Sequence, residues 1–132
     1  VYMGAIANGG KAAKPYLIEK TVSPLGIPSL PRWSGKTGTL IRKETARTMA
    51  DMMAGNVEKT YGSKRFPGMD ICAKSGTAEV GEGKTPHAWF AGFLRNEETP
   101  YAFVVLVENG GGGSAVAGTV AGKVLDTIVN GY

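Results

Sequence analysis

The spacing of apolar positions predicts helix in the first half of the chain and strands in the second. Val1 to Ala7 is apolar and runs into Asn8-Gly9-Gly10, a composition that suits the last turns of a helix closed by a left-handed glycine. Pro15-Tyr16-Leu17-Ile18-Glu19-Lys20-Thr21-Val22 follows with strand-like residues. From Ser23 to Gly38, Pro24, Pro28 and Pro31 exclude a regular element and predict a loop. Ala46, Met49, Ala50, Met53 and Val57 then recur at helical spacing, with Arg42, Lys43, Glu44, Arg47 and Asp51 on the other faces. The methionines on that stripe read as core filler.

Beyond Gly62 the period shortens. Met69 to Val80, Trp89 to Leu94 and Tyr101 to Glu108 are rich in β-branched or aromatic residues and predict three strands. The links Gly81-Glu82-Gly83-Lys84-Thr85-Pro86 and Asn96-Glu97-Glu98-Thr99-Pro100 are too short for parallel crossovers, so the strands form an antiparallel meander. After Gly110 to Gly113, a last helix carries Ala117, Val120, Ala121, Val124, Leu125 and Ile128 as one apolar face. Gly118 and Gly122 lie near that face and allow close packing on the sheet. The fold class is therefore α+β, an antiparallel sheet packed with helices.

Composition narrows the chemistry. The chain has 132 residues, enough for one domain without an internal boundary, and 42% of them are hydrophobic, enough for a core. One cysteine, Cys72, excludes an internal disulfide, and with one histidine, His87, it cannot complete a four-ligand zinc site. No metal or cofactor is expected. The net charge of +4 is spread among acidic residues, and Lys59, Lys64 and Arg65 lack an RNA-binding aromatic motif, so nucleic acid is not an expected partner. No apolar stretch reaches the length of a membrane span. Val1 opens inside an apolar segment without an initiator Met, which suggests a piece of a longer protein.

Four motifs compete for function. Ala78 to Thr85 fits a loose nucleotide-binding loop, but Pro86 and an aromatic strand follow where a helix must begin. Gly110-x-Gly112-x-x-Ala115 lacks the second strand and acidic residue of a dinucleotide site. Of two lysine motifs, Lys36-Thr37-Gly38-Thr39 lies between a proline-rich loop and a helix, whereas Lys74-Ser75-Gly76-Thr77 lies on a strand. On a strand, the ammonium and hydroxyls can bind a carboxylate. The glycine lets a ligand backbone approach, and the next N–H can point at an oxyanion.

Lys74-Ser75-Gly76-Thr77-Ala78-Glu79, then His87-Ala88-Trp89-Phe90-Ala91-Gly92-Phe93, then Tyr101 to Asn109 with a glycine-rich turn and a closing helix, closely resembles the C-terminal part of penicillin-binding protein transpeptidase domains. Ala5-Ile6-Ala7-Asn8-Gly9-Gly10 with Lys14-Pro15-Tyr16-Leu17, and the helix around Glu44-Thr45, are similar to the elements that precede them in that family. The resemblance implies the second half of a transpeptidase and serine β-lactamase-like fold, in a five-stranded sheet whose first two strands lie upstream. It implies acyl transfer on peptidoglycan: a serine in Ser-x-x-Lys attacks the penultimate D-alanine of a stem peptide, and an amine from a neighbouring strand resolves the acyl-enzyme. β-Lactam antibiotics acylate the same serine.

Carried over by motif, Lys74 supports the electrostatics and proton network, and Ser75 and Thr77 bind the substrate or β-lactam carboxylate. The Thr77 N–H is half of the oxyanion hole, Gly76 allows ligand approach, and Trp89 walls the site, with Phe90 read as core. The expected partners are the stem peptide, β-lactams and the missing N-terminal part of the same domain, on the extracytoplasmic face of a bacterial cytoplasmic membrane. The departure from the family is equally definite. None of Ser23, Ser29, Ser34, Ser63, Ser75 and Ser114 has Lys three positions on or Asn two positions on. The chain alone is therefore not expected to be an enzyme. The alternative is a non-catalytic β-lactam sensor or scaffold module of the same fold.

Overall fold

The structure, a computed structural model, describes residues 1–18, 20–28 and 35–131. Helix α1 spans Tyr2–Ala7 and α2 spans Lys43–Asn56. A wide turn at Val57–Gly62 and a tight one at Ser63–Arg65 continue from α2. Strands β1 (Ile71–Ala78), β2 (His87–Leu94) and β3 (Ala102–Val107) follow, and a wide turn at Gly113–Ala117 leads into α3 (Gly118–Asn130). The sheet is the expected antiparallel meander in the order β1-β2-β3. Each strand begins or ends one or two residues inside its expected bounds except β2, which starts earlier, at His87.

The pleat sorts the sheet into two faces. Ile71 and Ala73 of β1 share a face with Ala88, Phe90 and Leu94 of β2, and this face packs on Ala117, Ala121 and Leu125 at the last helix. Cys72 and Phe93 point the other way, onto Ile6 of α1 and Ala50 and Met53 of α2. One apolar stripe on α2 serves both clusters, because Ala50 and Met53 join the second while Val57 and Tyr61, one and two turns further, join the first. The stripe thus extends to Tyr61, one step beyond its expected end. At Gly9 (φ +60°) the chain turns left-handed, and the Gly10 N–H donates to the Ala5 carbonyl at 2.7 Å, closing α1 as its composition predicts.

Three expectations need correction. The described residues of the run from Pro15 to Val22 form no strand: Ala13 pairs with Lys36 and Val22 with Pro28 in isolated bridges, and Leu17 is fully exposed. Strand-forming residues gain little without a neighbouring strand to pack on. Met49 is 40% exposed, since Ala46, Ala50, Met53 and Val57 already fill the contact. On α3, Val120, Val124 and Ile128 are exposed, and the helix sits instead on its Ala117, Gly118, Ala121, Gly122 and Leu125 side. That side is chosen by close approach, because a Cβ at Gly122 would lie 3.0 Å from the Arg65 carbonyl oxygen. The loop expected from Ser23 to Gly38 has no regular element among its described residues; Ser29, Pro31 and Ser34 lie outside them, as does Glu19.

Cys72 is fully buried and its Sγ lies 3.3 Å from the Ala50 carbonyl, to which it donates. Burial pushes its thiol up to about 11, with nearby Arg95 only partly opposing the shift. In the unfolded chain the thiol ionises near about 8.5. The neutral thiol therefore stabilises the fold fully below that value, and the contribution is lost as pH rises towards about 11. Urea midpoints of the protein should fall across this window, and a Cys72→Ala variant should lose that part of the slope. An identical slope in both proteins contradicts the assignment.

Candidate functional site on the edge of the sheet

Lys74, Ser75, Gly76 and Thr77 occupy consecutive positions of β1 and lie opposite Ala91, Phe90, Trp89 and Ala88 of β2. β1 is an edge strand among the described residues. Alternation along the pleat places Ser75 and Thr77 on the face that carries Phe90, and Lys74 and Gly76 on the face that carries Trp89. The two hydroxyls thus share a side, and the ammonium stem starts from the other. A Cβ at Gly76 would meet the Trp89 Cβ at 3.3 Å, so the absence of a side chain there makes room for the tryptophan. Trp89 is 37% exposed, whereas Phe90 is fully buried, in keeping with its reading as core.

The backbone at Ser75 faces away from the sheet. Its N–H donates to the Tyr61 Oη at 3.0 Å, and its carbonyl accepts from Lys74 Nζ at 2.6 Å, so neither group is spent on β2. In an antiparallel ladder outward and inward pairs alternate, which turns the Thr77 N–H outward to the same free edge. The Tyr61 Oη also lies 3.2 Å from Ser75 Oγ. Tyr61 was missed by sequence reasoning, although its position four residues after Val57 on the α2 stripe marks it as facing the sheet. The periodicity gives burial; only the tertiary fold gives the phenol its partner.

The turn before α3 closes on this strand from below. A Cβ at Gly113 would lie 2.3 Å from the Gly76 carbonyl oxygen and 2.8 Å from that of Trp89, so the chain rests directly on the motif backbone. Arg65 braces the same turn through a hydrogen bond from Nη1 to the Ser114 carbonyl at 2.5 Å. His87 Nδ1 accepts the Asn109 N–H at 2.9 Å, and the Gly111 N–H donates to the Pro86 carbonyl at 2.9 Å, which together tie the start of β2 to the end of β3. The single histidine is thus engaged in holding a turn.

The rival motifs are built differently. Thr37 exchanges two bonds with Ala12: its N–H donates to the Ala12 carbonyl at 2.7 Å, and its Oγ1 accepts the Ala12 N–H at 2.9 Å. That hydroxyl fastens the segment after α1, and Lys36 lies outside the sheet. Ala78 to Thr85 forms the end of β1 and a hairpin turn into β2, with no helix at its Lys84-Thr85. A groove of about 580 Å³ on the α1–α2 side, lined by Ile6, Lys43, Arg47, Ala50 and Phe93 among others, contains none of Lys74, Ser75, Gly76 and Thr77. Among the described residues no group of three or more His, Cys, Asp or Glu could hold a metal, and no helix is long and apolar enough to cross a membrane.

Comparison with known proteins agrees with this architecture. Residues 1–129 match the model of the penicillin binding protein transpeptidase domain. The peptidoglycan D,D-transpeptidase PbpA of Mycolicibacterium smegmatis is 32% identical over 123 residues, which is 90% of this chain and 25% of that protein. PbpA of Mycobacterium tuberculosis is 32% identical over 138 residues, covering 96% of this chain and 27% of the relative. The chain thus spans about a quarter of the length of these curated relatives. Among solved structures, the ceftriaxone acyl-enzyme complex of penicillin-binding protein A from M. tuberculosis superposes with a TM-score of 0.80 at 30% identity, over 95% of this chain and 30% of that one. A D,D-transpeptidase domain of a peptidoglycan glycosyltransferase from Eggerthella lenta gives 0.78 at 30% identity, over 96% of this chain and 30% of that one.

Gly113→Ala should distort the motif from the Phe90 face, since the new methyl group must displace the backbone of Gly76 and Trp89. Overpacking of this kind costs about 1–3 kcal/mol. Denaturant titration of the protein should show a loss of that order, and Gly112→Ala, where a Cβ meets only the Ala115 methyl at 3.7 Å, should be tolerated far better.

Proposed function

We propose that this chain, which belongs to the penicillin-binding protein transpeptidase domain family, supplies the carboxylate-binding edge of a peptidoglycan D,D-transpeptidase that also binds penicillin. The observation that carries the reading is the free edge of β1, where Ser75 and Thr77 share one side and the Thr77 N–H is turned outward. In this reading the Ser75 and Thr77 hydroxyls donate to the terminal carboxylate of a stem peptide or to the carboxylate of a β-lactam. The Lys74 ammonium adds positive charge from the neighbouring face, and Trp89 forms a wall beside Gly76. The outward Thr77 N–H donates to the oxygen that gains negative charge when a nucleophile attacks the scissile carbonyl.

The nucleophile comes from the upstream part of the same domain, since none of the 132 residues forms a Ser-x-x-Lys. Its hydroxyl oxygen bonds to the penultimate D-alanine carbonyl carbon, the C–N bond breaks, and the terminal D-alanine leaves with a proton on its nitrogen. An amine of a neighbouring stem then attacks the ester, forms the cross-link and returns the serine hydroxyl. Such chemistry acts on peptidoglycan, which places the site outside the cytoplasmic membrane. The upstream part has an apolar surface to pack against: on the Trp89 face, Val104 and Leu106 of β3 are exposed. β3, also an edge strand among the described residues, offers the free edge for the remaining strands of the sheet. M. tuberculosis penicillin-binding protein A forms acyl-enzymes with ceftriaxone and imipenem, which supports a catalytic parent over a scaffold.

The parent protein should be labelled covalently by a fluorescent penicillin, and the 132-residue chain alone should not. Labelling of the chain alone would place the nucleophile within it and overturn the proposal, and an unlabelled parent would favour the scaffold reading. Within the parent, Lys74→Ala should slow acylation by about a hundredfold or more, comparable to the loss of one oxyanion donor. Lys36→Ala should leave the rate unchanged. Equal losses in the two variants would contradict the choice of Lys74.

A further inference from the structure

We infer that Tyr61 is a positioning residue for the carboxylate-binding hydroxyl of Ser75, fixing it as a hydrogen-bond donor towards the ligand. The inference rests on the function proposed for Ser75. Tyr61 comes from the wide turn after α2, fourteen positions before its partner, and meets it twice: Oη accepts the Ser75 N–H at 3.0 Å and lies 3.2 Å from Ser75 Oγ. Its ring is buried and held edge-on against Phe90, with centroids 5.2 Å apart, and Phe90 sits directly opposite Ser75 in the ladder. The phenol is therefore fixed by packing before it makes either bond.

The donor and acceptor count of this pair has a direction. A phenol oxygen carries one proton, and one of its lone pairs already receives the Ser75 N–H. Two arrangements remain for the hydroxyl pair: Ser75 donates to Tyr61, or Tyr61 donates to Ser75. An ionised carboxylate is an acceptor only. When it approaches Ser75 Oγ, the serine proton must turn towards it, and Tyr61 then donates to the serine oxygen in its place. The chain Tyr61 O–H to Ser75 O–H to carboxylate satisfies every group and polarises the serine hydroxyl as a donor. Without the phenol proton, Ser75 Oγ would lose that support, and its N–H would lose its partner on the open edge.

The test is a double-mutant cycle in the whole parent protein, read by the second-order rate of acylation with a carboxylate-bearing fluorescent penicillin. Tyr61→Phe keeps the ring against Phe90 and removes only the hydroxyl; it should slow acylation about tenfold, the scale of a lost hydrogen bond in a charged network. Ser75→Ala should slow it by at least as much. In the Ser75→Ala background, Tyr61→Phe should add less than about twofold, because the phenol acts on the ligand through the serine hydroxyl. A merely structural tyrosine would give the same loss in both backgrounds, and that additivity overturns the proposal. If Ser75→Ala slows acylation but Tyr61→Phe does not, the proposal falls and the role of Ser75 stands. If Ser75→Ala itself has no effect, both fall.

Amide hydrogen exchange on the unmutated parent gives an independent reading that does not depend on a variant folding. The Ser75 amide, capped by Tyr61, should exchange at least about tenfold more slowly than the outward Thr77 amide. Equally fast exchange at the two positions overturns the proposal.

Discussion

Phe90 is the point on which both the packing and the site depend. It is fully buried at the middle of β2, and its ring contacts Tyr61 edge-on at 5.2 Å and stacks with Phe66 at 5.9 Å and Phe103 at 6.2 Å. These partners come from the turns after α2 and from β3, so one ring joins three parts of the chain. α3 reaches the same ring where it has no side chain, since a Cβ at Gly118 would lie 3.4 Å from Phe90. Removing a buried phenylalanine typically costs about 3–5 kcal/mol. Here it would also release Tyr61, and with it the hydrogen bonds that define the outward backbone of Ser75.

The two faces of the sheet are unequal, and the inequality has a functional sense. The Phe90 face is closed by α3 and the turns around Arg65. On the other face, α1 and α2 cover only the end near Cys72 and Phe93. From Lys74 onward that face carries Trp89, Val104 and Leu106 in contact with solvent, an apolar surface next to a lysine. The closed face supplies rigidity, and the free edge of β1 leaves its outward backbone groups accessible. In the proposed function a strand that binds a carboxylate needs both, because its hydroxyls need fixed directions while its outer N–H groups must stay available.

Much of the fold is legible along the chain because its cause is local. The strand alternation at 71–78, 87–94 and 102–107, the short polar links and the glycines at 9 and 10 act through periodicity and backbone freedom, which any reader of the sequence can apply. The failures share a different cause. Tyr16 to Val22 has strand-forming residues, but no described strand runs beside it. Val120, Val124 and Ile128 are apolar, yet α3 turns its glycine side inwards, since only there can the helix come within reach of Arg65 and Phe90. Met49 lies on a stripe wider than the surface it meets.

The same division runs through the site. The sequence alone determines that Lys74, Ser75, Gly76 and Thr77 stand together on a strand, that Ser75 and Thr77 share a face two residues apart, and that no serine here has a lysine three positions later. Those properties follow from identity and spacing. Which way Ser75 faces along the edge is decided only by the tertiary structure, because it depends on a tyrosine that a buried phenylalanine holds at 3.0 Å from its amide. The preference for Lys74 over Lys36 is already legible in the sequence, and the structure adds that the hydroxyl of Thr37 is engaged by the backbone of Ala12. A hydrogen bond between distant segments has no period to read; it exists once packing has brought the two groups within reach.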